Sequence, residues 1–251
     1  MDGERTSDHD DRAAILAAED RMVAATDHIV AAGRRFVAAG LGTGSSGNIG
    51  VRAGGAILVT PTGVPWDALT AADMVAIDFH GEPAGGAGGH TTGRPSSEWR
   101  LHAAVLAARP DVAAVVHAHP TYATALACLR RPIPPFHYLV ALAGGHEIPC
   151  TGWAAPGSAE LAELAAESLQ NCDACLLANH GIVAIGADLD DALDLAVEVE
   201  TLARQYCAAL QMGEPVLLSE DQMAEMVSIM GRYRRDRTLR DENPDCHTPA
   251  P

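Results

Sequence analysis

Apolar residues recur at helical spacing from Ala13 to Phe36 (Ile15, Leu16, Met22, Val23, Ile29, Val30), and the run closes on Gly40 and Gly42, which predicts a long amphipathic helix. The period then shortens to two. Asn48–Arg52 and Ala56–Thr60 are β-type runs separated by Ala-Gly-Gly, predicting a hairpin, and Met74–Phe79 predicts a third strand. Gly81–Gly93 is Gly-rich and predicts a surface loop. From Ser96 onward runs of helical and strand length alternate. Helices are predicted at Ser97–Ala108, Thr121–Leu129, Ser158–Leu169, Leu189–Leu210 and Glu220–Arg232. Strands are predicted at Ala113–His117, Cys175–Ala178 and Ile182–Ile185, the last two around a tight Asn179-His180-Gly181 turn. This alternation predicts an α/β fold with helices layered on a sheet. With no internal repeat and no break in composition, the expected organisation is an acidic, disordered leader (1–12), a single domain (13–235) and a polar tail (236–251).

Composition narrows the partners more than it narrows the fold. The 251 residues are 48% hydrophobic, enough to bury a core without disulfide or metal staples. A formal charge of -16 and scattered Arg residues argue against nucleic acid and anionic membrane as partners. A small anionic substrate is still allowed, because local N–H groups and a metal outweigh a distant negative field. No apolar run has the length of a bilayer span, and the expected setting is the cytoplasm. The six Cys residues fit reduced thiols there, with Cys128, Cys150 and Cys207 among apolar neighbours. Cys172-Asp-Ala-Cys175 lacks the second ligand pair that structural zinc requires.

The sharpest chemical signal is Val116-His117-Ala118-His119-Pro120, an apolar run ending in two imidazoles spaced by two. On a strand this spacing puts both rings on one face, about 6–7 Å apart at their bases. By itself the pair is better read as two imidazoles hydrogen-bonded to carbonyls or water. His180, in the turn after Leu176-Leu177-Ala178, adds a third imidazole at a strand edge. Glu98, expected in the first turn of the Ser97–Ala108 helix, adds a carboxylate that is either a ligand, a base or a helix-start charge stabilised by the dipole. Three His and one carboxylate suit zinc (Zn2+). His102 lies one turn beyond Glu98, where it could pair with Glu98 across the helix face but reads rather as structural, and His137 and His146 have no partner at ligand spacing.

Three segments suit an anion. Gly42–Asn48 and Thr60–Gly63 are small-residue turns whose N–H groups approach a ligand closely, and Pro95-Ser96-Ser97-Glu98 opens a helix. Each has an ordinary reading as a turn or a cap. Their interest lies in Ser96 and Ser97 directly preceding Glu98, which would put an anion beside a metal.

Taken in order, residues 95–100 (Pro-Ser-Ser-Glu-Trp-Arg), 115–119 (Val-Val-His-Ala-His), 131–138 (Arg-Pro-Ile-Pro-Pro-Phe-His-Tyr), 143–150 (Ala-Gly-Gly-His-Glu-Ile-Pro-Cys) and 179–181 (Asn-His-Gly) resemble the L-fuculose-1-phosphate aldolase branch of the class II aldolase and adducin family. The resemblance runs from about Ala13 to Tyr233. It implies a single-domain α/β class II aldolase fold with a central, largely antiparallel sheet flanked by helices, assembled as a homotetramer with active sites between subunits. It implies zinc on Glu98, His117, His119 and His180, and substrate phosphate on Ser45, Gly47, Asn48, Thr62, Gly63, Ser96 and Ser97. It also implies Glu98 as proton shuttle, Tyr138 as a proton donor from the neighbouring subunit, and Tyr233 as a tail residue closing over substrate. The longer leader, the Gly-rich stretch and Ser45 in a place where the family often has Thr depart from the pattern.

The implied activity is cleavage of a small phosphorylated sugar, L-fuculose 1-phosphate or a close analogue, to dihydroxyacetone phosphate and a short aldehyde such as L-lactaldehyde. The chain has no Lys, so a lysine imine is excluded and a metal route remains. Rival readings are a pentulose-phosphate 4-epimerase or a sugar-phosphate dehydratase on the same site, and a non-catalytic scaffold as in the adducin branch.

Overall fold

A computed structural model describes residues 23–84 and 93–242, with only the helical backbone described for residues 233–242. The leader, the Gly-rich stretch 85–92 and residues 243–251 lie outside the described residues, as do residues 13–22 of the first expected helix. The period-two runs form the expected hairpin: β1 (Asn48–Ala53) and β2 (Ala56–Val59) pair antiparallel around Gly54-Gly55, and β3 (Val75–Ile77) adds to β2. With β4 (Ala114–Ala118), β5 (Ala174–Leu177) and β6 (Gly181–Gly186) they build a six-stranded sheet ordered β3-β2-β1-β4-β6-β5. Its ladders are antiparallel, in agreement with the resemblance.

Alternate strand residues enter two different cores, which is why these strands read as continuous apolar runs. Val116, Ile182 and Ala184 face one layer, made by α1 (23–38), α3 (Thr121–Cys128) and α5 (Leu189–Met212). Val115, Val183 and Ile185 face the other, made by α2 (Trp99–Ala108) and α4 (Ala159–Ser168). The helices end where local chemistry directs. Ser158 and Asp188 cap α4 and α5 by accepting from Leu161 and Asp191 N–H groups. The last helix, α6 (Glu220–Glu242), runs past residue 236, where the polar tail was expected to begin. Arg, Asp, Glu and Leu sustain a helix there, and the next breaker is Pro244.

Strand β1 holds α2 at both ends. The Asn48 amide donates to Glu98 just ahead of the helix, and the Arg52 guanidinium donates to the Leu106 and Arg109 carbonyls at its far end. Between them Gly50 makes room for the fully buried His102 ring of α2: a Cβ at Gly50 would stand 2.5 Å from His102 Nδ1. Gly50→Ala is therefore expected to destabilise the protein by about 1–3 kcal/mol through overpacking. Equilibrium urea unfolding measures this, and an unchanged midpoint would show that the α2–β1 contact is loose.

Candidate metal centre

Four side chains from separate parts of the chain meet at one end of the sheet. His117, the last residue but one of β4, lies on the face that Val115 gives to α2, and β1 register sets Asn48 directly opposite it. His119 lies just past the strand, its N–H donating to the Leu41 carbonyl at 2.9 Å. Behind it, Glu200 of α5 accepts from the Tyr122 and Ala123 N–H groups at the start of α3, which fixes the chain leaving His119. His180 rides on the β5–β6 turn. That turn docks on the end of α3: Asn179, in a left-handed conformation with φ 57°, donates to the Ala127 and Cys128 carbonyls and accepts from Arg130. Gly181 lets β6 approach, since a Cβ there would stand 2.3 Å from the Ala118 carbonyl.

Glu98 departs from the expected place. It occupies the position before α2 rather than its first turn, and its side chain does not cap the helix. The carboxylate is instead drawn inward: Oε2 lies 3.0 Å from His117 Nε2 and accepts from Asn48 at 3.0 Å, while Oε1 lies 3.5 Å from His180 Nε2. One ligand atom from each of Glu98, His117, His119 and His180 falls within 4.8 Å of all the others. The three imidazole centroids are 4.7–4.9 Å apart.

The donors fit a divalent cation. His117 Nδ1–H donates to the Ile182 carbonyl at 2.9 Å, so Nε2 presents its lone pair to the cluster. Nε2 of His119 is only 2.9 Å away, and Glu98 Oε1 is buried with no hydrogen-bond partner. Nitrogen lone pairs and a carboxylate converging in this way suit a positive charge among them. Burial, with the repulsion His117 and His180 would exert once protonated, pushes His119 down to about 4; burial and the same repulsion from His117 push His180 down to about 4. Both rings are therefore neutral and ligand-competent at neutral pH. Burial pushes the Glu98 carboxyl upward, but His117 and His180, which would be protonated at the acid pH where Glu98 titrates, and the Asn48 amide outweigh it and hold the group well below the usual carboxylate range.

The three anion-suited segments are stitched into one rim. Trp66 N–H donates to the Gly44 carbonyl, Ser96 N–H to Thr60 and Thr62 N–H to Arg94, at 3.0–3.1 Å. Ser45 and Gly47 line a small cavity with Thr60 and Pro61. Ser45, Thr62, Gly63 and Ser97 are exposed on this rim, whereas Ser96 is buried and its Oγ accepts from the Glu98 N–H. Tyr138 starts a 3-10 turn (Tyr138–Ala143), stacks on His137 and is 45% exposed. The Tyr233 side chain lies outside the described residues.

What the sequence reading did not reach is the connection behind Glu98. Asn48 bonds Glu98 and His102 together, and His102, pushed down to about 3 by burial and by His117, is neutral. The signal was present: a glycine two residues after Asn48 in a β-type run marks close approach by another group.

With this geometry in view, residues 27–207 match the family described as Class II Aldolase and Adducin N-terminal domain. The chain is 47% identical over 193 residues to a 5-methylthioribulose-1-phosphate/5-deoxyribulose-1-phosphate aldolase of Rhodospirillum rubrum, a match covering 77% of this chain and 85% of that protein. It is 44% identical over 195 residues to an L-fuculose phosphate aldolase of Escherichia coli O6:H1, covering 77% and 87%. The solved structure of an L-fuculose 1-phosphate aldolase superposes with a TM-score of 0.77 at 36% identity, covering 82% of this chain and 95% of that one.

The lowered histidines give a pH dependence of definite sign. In the native state His102, His119 and His180 resist protonation, whereas in the unfolded chain they take up protons near 6.5. Their contribution is thus complete above 6.5 and is lost as pH falls toward about 4 and, for His102, about 3. Chelator-treated protein is expected to show a falling Tm across this window, and a Tm independent of pH there would contradict the neutral-ring assignment.

Proposed function

The chain belongs to the class II aldolase and adducin family, and from that premise we propose that it catalyses metal-dependent, reversible cleavage of a ketose 1-phosphate to dihydroxyacetone phosphate and a short aldehyde. The observation that carries this reading is the convergence of Glu98, His117, His119 and His180 within 4.8 Å, with Ser96 and Ser97 adjoining Glu98 in the chain. Zinc is the proposed ion, since three imidazoles and one carboxylate match its preferred donors. Once bound it would supply Lewis-acid polarisation of the ketose carbonyl and the neighbouring hydroxyl. The absence of Lys leaves no residue for an imine route.

The remaining roles fall to side chains. Hydroxyls of Ser45, Thr62, Ser96 and Ser97, N–H groups at Gly47 and Gly63, and the second amide hydrogen of Asn48 are proposed to hold the phosphate. Anchoring it there would set the C3–C4 bond at the cluster. As that bond breaks, its electron pair passes toward C2 and the C4 hydroxyl loses its proton to Tyr138. Tyr138 passes that proton on through solvent to the Glu98 carboxylate, which delivers it to C3, so that one proton moves in net from the C4 hydroxyl to C3 and dihydroxyacetone phosphate is complete. Tyr138, exposed in the single chain, is proposed to act on the site of an adjacent subunit in a homotetramer, with Tyr233 closing over substrate. The proposed catalytic unit is residues 13–235. Free Cys128, Cys150, Cys172, Cys175 and Cys207 suit the reducing cytoplasm, and no described helix is long and apolar enough to cross a membrane.

The relatives named above are aldolases of L-fuculose phosphate or of 5-methylthioribulose 1-phosphate and 5-deoxyribulose 1-phosphate, compounds that share the phosphate end and differ at the aldehyde end. The proposed substrate is L-fuculose 1-phosphate or a close analogue of this group. An epimerase or dehydratase would use the same cluster without releasing a triose phosphate.

A panel of these ketose 1-phosphates, assayed for dihydroxyacetone phosphate with and without chelator, tests the reading; release from none of them would reject it. His117→Ala is expected to abolish stoichiometric zinc binding, so full occupancy by metal analysis would remove His117 from the ligand set. Glu98→Gln should retain zinc while turnover drops by about 10²–10⁴, and turnover equal to wild type would exclude the carboxylate as proton carrier.

A further inference from the structure

Three buried polar side chains stand in line behind the cluster. Asn48 donates through Nδ2 to Glu98 Oε2 at 3.0 Å, and its Oδ1 lies 2.5 Å from His102 Nε2. An ionised carboxylate only accepts, so the Asn48 amide must turn its nitrogen to Glu98 and its oxygen to His102. That orientation requires His102 to carry its proton on Nε2. The other ring nitrogen, Nδ1, is then a buried lone pair with no hydrogen-bond partner, set against the space that Gly50 leaves. An orphaned buried acceptor costs stability, and a leucine would fill the niche without one. Packing alone therefore does not account for an imidazole at this position.

We propose that His102 is a positioning residue of the reaction: acting through Asn48, it fixes Glu98 by Oε2 and leaves Oε1 as the oxygen that takes and returns the proton. This rests on the aldolase reading given above. Oε2 is engaged by Asn48 and faces His117, whereas Oε1 has no hydrogen-bond partner and lies 3.5 Å from His180 Nε2. The carboxylate can turn about Oε2 without losing the Asn48 bond. In the half-reaction with dihydroxyacetone phosphate, Oε1 removes a proton from the hydroxymethyl carbon beside the carbonyl. The C–H electron pair moves into the carbon–carbon bond while the carbonyl oxygen gains the charge. Return of the proton reverses each change, so the net exchange is of a proton alone.

The test compares His102→Gln, which keeps an N–H donor near the position of Nε2, with His102→Leu, which fills the niche without one. Zinc-loaded full-length proteins are assayed for solvent-deuterium exchange into dihydroxyacetone phosphate, for zinc affinity, and by NMR of the histidine ring nitrogens. His102→Leu is expected to lose kcat for exchange by about 10- to 100-fold with KM and zinc affinity nearly unchanged. His102→Gln should recover most of that loss, and wild-type His102 should show the Nε2–H tautomer. Equal losses in both variants, a loss confined to KM or zinc affinity, or an Nδ1–H tautomer would each overturn the proposal. Should His102→Leu not fold, Asn48→Ser interrupts the same line and is expected to lower kcat likewise; wild-type kcat in that variant would also overturn it. No exchange by zinc-loaded wild type would overturn the aldolase reading and this proposal together, whereas failure of the variant pattern alone removes only the proposal.

Discussion

Imidazole lone pairs and a carboxylate held within 4.8 Å of one another repel unless positive charge stands among them, and much of the surrounding structure can be understood as what holds them there. The restraint is distributed. Bonds to backbone carbonyls secure the histidines, through Leu41 behind His119, Ile182 behind His117 and the docking of Asn179 behind His180. Glu98 is secured by a side chain, the Asn48 amide. This difference suits a site in which three donors stay fixed and the fourth is adjustable, because a side-chain bond can follow a rotating carboxylate and a strand carbonyl cannot.

The sheet register does the spatial work. Pairing of β1 with β4 puts Asn48 opposite His117, and pairing of β4 with β6 brings the Ile182 carbonyl to the His117 ring. A slip of one residue on β1 would turn Asn48 to the opposite layer and present Ile49 to Glu98. Arg52 guards against this by tying the far end of β1 to the last turn of α2. The apolar cores on both faces and the polar line through Asn48 are thus satisfied by the same register.

Two features separate this site from ordinary buried polar clusters. Glu98 and His102 are nearly or fully buried, yet each keeps an atom without a hydrogen-bond partner, Oε1 and Nδ1 respectively. An orphan acceptor is normally avoided. Here the first faces the cluster, where chemistry is proposed, and the second follows from the proton that Asn48 requires on the opposite nitrogen.

Much of the site could be read along the chain. The β4 run ending in His117-Ala-His119, the Asn179-His180-Gly181 turn and Ser96-Ser97-Glu98 named the residues that meet, because apolar period and turn chemistry are local properties. The hairpin and the helices from α2 to α5 were legible for the same reason. Only the tertiary structure decided that Glu98 stands outside α2 with its carboxylate turned inward, that Asn48 serves Glu98 with its side chain, and that His102 completes the line. Those facts depend on which β1 residue lies opposite His117 and on how closely α2 approaches Gly50. They are set by long-range packing against the sheet, which hydrophobic period and residue spacing do not encode.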